Sequence, residues 1–230
     1  LIMNYEIKGG NLPYVTFKLN RNEGLSTTSG AMSWMSNDII MDTSTKGGFL
    51  GGMKRMFSGE TFFTVDFTAA SDNQTIAFSS SFPGSIHGVN LEKGESIIAQ
   101  KGAFLVAEKG VDLAIHFHKK LGTGFFGGEG FIMQKISGNG YVFLEIDGAL
   151  EEIELNSGEM IKVDTGHVAF IEETVNMSID SVKGFKNILF GGEGLFLTTL
   201  TGPGKVYLQS IPIQNFANNI LPFIPTSSSN

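Results

Sequence analysis

The chain contains no cysteine among its 230 residues, only one tryptophan and four tyrosines. Without thiols there is no disulfide framework, no zinc-thiolate centre and no thiol nucleophile. No stretch reaches the 18 or more apolar residues that a membrane-spanning helix needs. The opening Leu1-Ile2-Met3 does not have the basic and apolar make-up of a secretory leader. A soluble, cytoplasmic protein is expected from these features. Positive charge is also short, with 16 basic against 23 acidic residues and a net charge of −7. The field of an acidic chain opposes nucleic acid, and Lys54-Arg55 and Lys119-Lys120 read as solvated surface pairs.

Glycine and phenylalanine are what the sequence has in excess. Thirty glycines are nearly twice the usual share of roughly 7%, without a collagen period. Such glycine marks tight turns and bulges, and 20 phenylalanines suit the buried faces of short strands. Val111, Leu113, Ile115 and Phe117 alternate with Asp112, Ala114, His116 and His118, the period of a half-buried strand. Sustained helical periodicity with caps is absent, and the one place for a helix is residues 52–57. The composition predicts an all-β fold.

An internal duplication organises the chain. Phe126-Gly127-Gly128-Glu129-Gly130 recurs as Phe190-Gly191-Gly192-Glu193-Gly194, a shift of 64 residues. The same shift carries Leu91 to Leu155, Gly94 to Gly158, Glu95 to Glu159, Val111 to Val175 and Gly140 to Gly204. Residues 89–148 and 153–212 therefore read as one β unit written twice. A more divergent first copy is recognised from Gly24, Gly30 and Gly48-Phe49-Leu50-Gly51-Gly52, with an insertion over residues 53–59. The units are expected at 1–82, 83–148 and 149–221, followed by a flexible tail over 222–230. Three jelly-roll-like sandwiches packed as one pseudo-threefold body would cover edges that a single small unit leaves open.

The ordered set Pro83-Gly84, Lys101-Gly102-Ala103-Phe104-Leu105, Phe126 to Gly130, Asp164-Thr165-Gly166-His167, Leu189 to Gly194 and Thr201 to Gln209 covers nearly the whole chain. In that set the chain resembles the family named for altered inheritance of mitochondria, which has many bacterial members. The resemblance implies a double-stranded β-helix fold like that of the tryptophan RNA-binding attenuation protein, and no established activity. The attenuation protein's basic triplets and tryptophan pocket have no counterpart here.

Candidate chemistry is thin. Gly110 followed by His116-Phe117-His118 resembles the opening of the first cupin metal motif, since histidines two apart on a strand share a face. The glutamate that should follow is replaced by Gly122-Thr123, so an exposed polar strand face is the favoured reading. Asp164 and Gly166 resemble the second cupin turn, but His167 comes too early. The Gly127 to Gly130 loop lacks the helix and the Lys-Ser/Thr of a phosphate cradle. Glu60, Glu129 and Glu193 are expected to satisfy N–H groups of turns. Without a Gly-x-Ser-x-Gly elbow, no catalytic or cofactor residue is assigned. Residues 53–57, with Met53, Met56 and Phe57 around Lys54-Arg55, are expected to cover a sandwich edge. The expectation is a non-enzymatic β-scaffold that holds a protein or membrane-associated partner and can self-associate. The alternatives are cupin-like ligand or metal binding through His116 and His118, and RNA binding by fold analogy.

Overall fold

Along Tyr14–Leu19, Val15, Phe17 and Leu19 are buried while Thr16 and Lys18 face outward. That two-residue period sets one face of a strand against a core, and it recurs through most of the chain. A computed structural model describes residues 3–28, 30–42, 64–119, 130–181 and 196–224. The strands of the first part are β1 (Asn4–Lys8), β2 (Tyr14–Leu19), β3 (Gly24–Thr28), β4 (Met32–Met35), β5 (Ile39–Asp42), β6 (Thr64–Ala69) and β7 (Gln74–Ser79). Then come β8 (Gly84–Leu91), β9 (Ser96–Gln100), β10 (Phe104–Glu108), β11 (Asp112–Lys119), β12 (Phe131–Ser137) and β13 (Gly140–Asp147). The last six are β14 (Leu150–Leu155), β15 (Met160–Asp164), β16 (Val168–Glu172), β17 (Asn176–Ser181), β18 (Phe196–Thr201) and β19 (Gly204–Gln209).

Among the described residues these strands form four antiparallel sheets. Their orders are β1-β2-β7-β4, β5-β6-β3-β10-β13-β8, β11-β12-β9-β16-β19-β14 and β15-β18-β17. One core joins the first sheet to the second through Phe17, Phe67, Phe78 and Phe143. A second joins the second and third sheets through Leu144, Ile97, Ile136 and Phe170, and a third core joins the third and fourth sheets through Met133, Ile171 and Leu200. The fold is all-β, as expected from the composition.

Strand β10 explains one uninterrupted apolar run. Leu105 and Val106 belong to the first core, Phe104 and Ala107 to the second. Its register against β13 shifts between Phe104 and Val106, which turns two neighbouring side chains to one side. Phe104-Leu105-Val106-Ala107 is buried throughout because both faces of the sheet are covered there. In β16, Val168 and Ile171 serve the third core while Ala169 and Phe170 serve the second, with the same shift between Val168 and Phe170.

Turns are held by carboxylates. Glu23, Glu95 and Glu159 each accept the backbone N–H three residues earlier, from Asn20, Glu92 and Asn156, at 2.7, 2.9 and 2.9 Å. The residue before each glutamate has a positive φ, +70° at Asn22, +94° at Gly94 and +77° at Gly158. Glycine adopts that conformation without strain, and asparagine tolerates it best among the other residues.

The helix lies elsewhere than expected. Residues 52–57 fall outside the described residues, and the α-helix among those described is α1 (Ile213–Ile220). Ile213, Phe216, Ala217 and Ile220 do carry helical spacing. Two turns without a side-chain cap give too short a pattern to stand out, and Pro212 in the N-cap position offers no capping group. A 3₁₀ turn, Leu221–Phe223, continues the helix into what was expected to be loose tail.

Candidate functional site

His116 and His118 lie on β11, the edge strand of the third sheet, and both are exposed. Pairing with β12 passes from Ile115↔Gln134 to Phe117↔Met133, leaving His116 unpaired in a bulge. The regular alternation that would set both imidazoles on one face is broken there. Among the described residues, no three His, Cys, Asp or Glu side chains converge as metal ligands. The positions that would complete the motif, 122 and 123, lie outside the described residues. So do Glu60, Glu129, Glu193, Lys54-Arg55, Lys120, the 53–59 insertion and residues 127–129 of the glycine-rich turn.

The Asp164 to His167 turn is structural. Asp164 accepts the Gly166 N–H at 3.3 Å to cap the 3₁₀ turn Thr165–His167. His167 holds its Nδ1 2.8 Å from the Gln209 carbonyl oxygen, the geometry of an N–H donated to backbone. Its Nε2 faces the Asn215 amide at 3.4 Å, tying β19 to the helix.

Two features escape sequence reasoning because their parts come from distant strands. The first is an aromatic-walled cleft of about 500 Å³ at the edge strand β8, bordered by β16 and β19. Phe170 and Tyr207 lie face to face there, their ring centres 4.0 Å apart and 9° from parallel. His87 sits 5.6 Å from the first ring and 5.8 Å from the second. Lys205 donates to Glu152 at 2.6 Å, and that hydrogen bond holds the carboxyl below its usual range. Burial holds the His87 imidazole below its ordinary value of 6.5, with Glu152 opposing, and pushes the Tyr207 phenol up.

Burial of His87 carries a pH prediction. In the window just below pH 6.5 the unfolded chain binds more protons than the folded one, so stability falls as pH drops. Thermal melts from pH 7.5 to 5.5 are expected to show that fall in the wild type and a smaller one in His87→Gln. Equal slopes in both would assign the titration to another group.

The second feature is the C-terminal ledge. No residue of α1 is buried. Ile211, Ile213, Phe216, Ile220, Leu221, Phe223 and Ile224 are all exposed, Phe223 to 84%. The chain has no charged residue from 206 to 230. The ledge is fixed at its root, where the Asp147 carboxylate accepts the Ile213 N–H at 2.8 Å. Phe216 meets Phe82 edge-on, with ring centres 5.1 Å apart. Burial raises the Asp147 carboxyl above its usual range, and the Ile213 bond pulls the other way.

Together, the fold and these surfaces define an all-β protein of several packed antiparallel sheets. Among the described residues no helix is long and apolar enough to cross a membrane. The model of the family described as Mitochondrial biogenesis AIM24 matches residues 5–211, and the chain belongs to that family. It is 28% identical over 227 residues to an uncharacterized protein of Streptococcus pyogenes serotype M6, covering 94% of this chain and 89% of the relative. A crystal structure of a Streptococcus pyogenes protein superposes with a TM-score of 0.78 at 22% identity, covering 97% of this chain and 100% of the other. That likeness shows the fold.

Proposed function

We propose that the protein is a non-enzymatic β-scaffold, located in the cytoplasm, that works by holding a protein partner on the C-terminal ledge. One observation carries the reading: seven large apolar side chains lie exposed along an uncharged segment of an otherwise acidic chain. A contiguous apolar surface of that kind marks an interaction site more often than solvated surface. With no charges on the ledge, contact there rests on apolar burial, which salt does not screen.

The proposal includes three copies of one unit. Its support is the pairing geometry. Strands β8 and β13 meet with Leu91 opposite Gly140, and β14 and β19 with Leu155 opposite Gly204, each position 64 residues on. Glu108 accepts the Tyr141 N–H at 2.7 Å, and Glu172, again 64 on, accepts the Lys205 N–H at 3.0 Å. In the divergent first unit, β2 and β7 take the corresponding pairing.

The variant Leu221→Ser/Phe223→Ser/Ile224→Ser tests the ledge. Its melting point is expected to stay near wild type, since exposed changes usually move stability by less than about 0.5 kcal/mol. Proteins captured by the wild type from its native cell in 0.5 M salt are expected to be lost by the variant. Capture of the same set by both proteins would reject the ledge as the binding surface.

A further inference from the structure

The second and third sheets each contain a join between strands far apart in sequence. In one, β3 meets β10 with Thr27 opposite Val106, Ser26 opposite Ala107 and Leu25 opposite Glu108. In the other, β9 meets β16 with Ala99 opposite Phe170, Ile98 opposite Ile171 and Ile97 opposite Glu172. Both joins are antiparallel and three pairs long, and each brings in a strand whose inner side carries a register shift. Those shifts fall between Phe104 and Val106 in β10 and between Val168 and Phe170 in β16.

Among the described residues, one strand of each kind is left over. β4 has the same shift, between Met32 and Trp34 against β7, but its other side ends the first sheet. β15 pairs with β18 as β9 pairs with β12, and its other side ends the fourth sheet. Neither strand is buried: Trp34 is 48% exposed against Tyr14, and Met160 is 65% exposed. An open strand edge is a row of unmatched N–H and C=O groups, a template for a further strand.

We infer that β15 of one molecule pairs antiparallel with β4 of a second copy of this chain, forming the third join of the series. Carrying the register of the two existing joins over places Trp34 opposite Val163 and Met35 opposite Lys162. The inference rests on the three-unit reading. A second copy is the occupant because the two edges belong to opposite ends of the run of sheets. Among the described residues the first and third cores share no residue, and the second core lies between the sheets they serve. The edges are complementary and not identical, so the contact is head-to-tail and generates a ring or a filament.

The absence of cysteine makes a direct test available. Directly opposed residues of an antiparallel pair have Cα atoms about 4.5–5.5 Å apart, within disulfide range. Met35→Cys and Lys162→Cys molecules, mixed and mildly oxidised, are expected to give a crossed dimer several-fold above either variant alone. Met35→Cys with Val163→Cys, one step out of register and facing away, is expected to give background. The double variant Met35→Cys/Lys162→Cys is expected to form a ladder of multiples of 24.8 kDa on a denaturing gel. An internally linked monomer, or no link with both proteins folded, would overturn the inference. So would light scattering that shows only the 24.8 kDa species at every concentration. The ledge variant lies outside this edge and is expected to cross-link normally, so failure here and failure of the partner reading are separable.

Discussion

Phe143→Ala is expected to cost about 3–5 kcal/mol of unfolding free energy, the range for removing a buried phenylalanine ring. Phe143 is fully buried on β13. It meets Phe17 edge-on at 4.9 Å and Tyr5 edge-on at 4.7 Å, and Phe17 in turn meets Phe78 at 5.9 Å. The ring therefore fastens the first sheet to the second, and truncation removes both its burial and its edge-to-face contacts. Chemical denaturation of the variant beside Phe223→Ala separates core from surface. The second change touches a ring 84% exposed and is expected to leave the midpoint almost unmoved. A small loss for Phe143→Ala would mean that the two sheets are held by something other than this aromatic cluster.

Gln134→Met is expected to act in the opposite direction, raising stability by about 1–3 kcal/mol. Gln134 lies on β12, opposite Ala99 on one side and Ile115 on the other, and is fully buried. Its Nε2 and Oε1 have no hydrogen-bond partner among the described residues. Burying an amide without partners costs more than burying a thioether of similar length and volume. Gln209 provides the contrast. It too is buried, but its amide donates to the Gln100 side chain at 3.2 Å and the Gly166 carbonyl at 2.9 Å, and accepts the Asp147 N–H at 3.1 Å. Gln209→Met strands those partners and is expected to lower the melting point. A loss of stability in Gln134→Met would show that its amide is satisfied, and would redirect attention to what satisfies it.

Much of the local structure was legible because strands and turns follow short-range rules. The alternation over Val111 to Phe117 marked β11, and the glycine excess marked tight turns, among which Gly94 and Gly158 take a positive φ. Helix α1 was missed because two uncapped turns carry little periodicity. The two-histidine argument assumed unbroken alternation, and a bulge at His116 breaks it. Bulges depend on how a strand fits its neighbour, which spacing alone does not record. The cleft of His87, Phe170 and Tyr207 had no sequence signal, since its three rings come from three strands that only folding brings together.

By itself the sequence determined the all-β class, the turn positions and the strand faces, because glycine conformation and the two-residue period act within a few residues of one another. Tertiary structure alone decided which sheet lies on which, and so which edges and apolar side chains stay open. The reason is physical: a run such as Phe104 to Ala107 is apolar on both sides whichever sheets cover it. Identifying those sheets takes contacts between residues tens of positions apart.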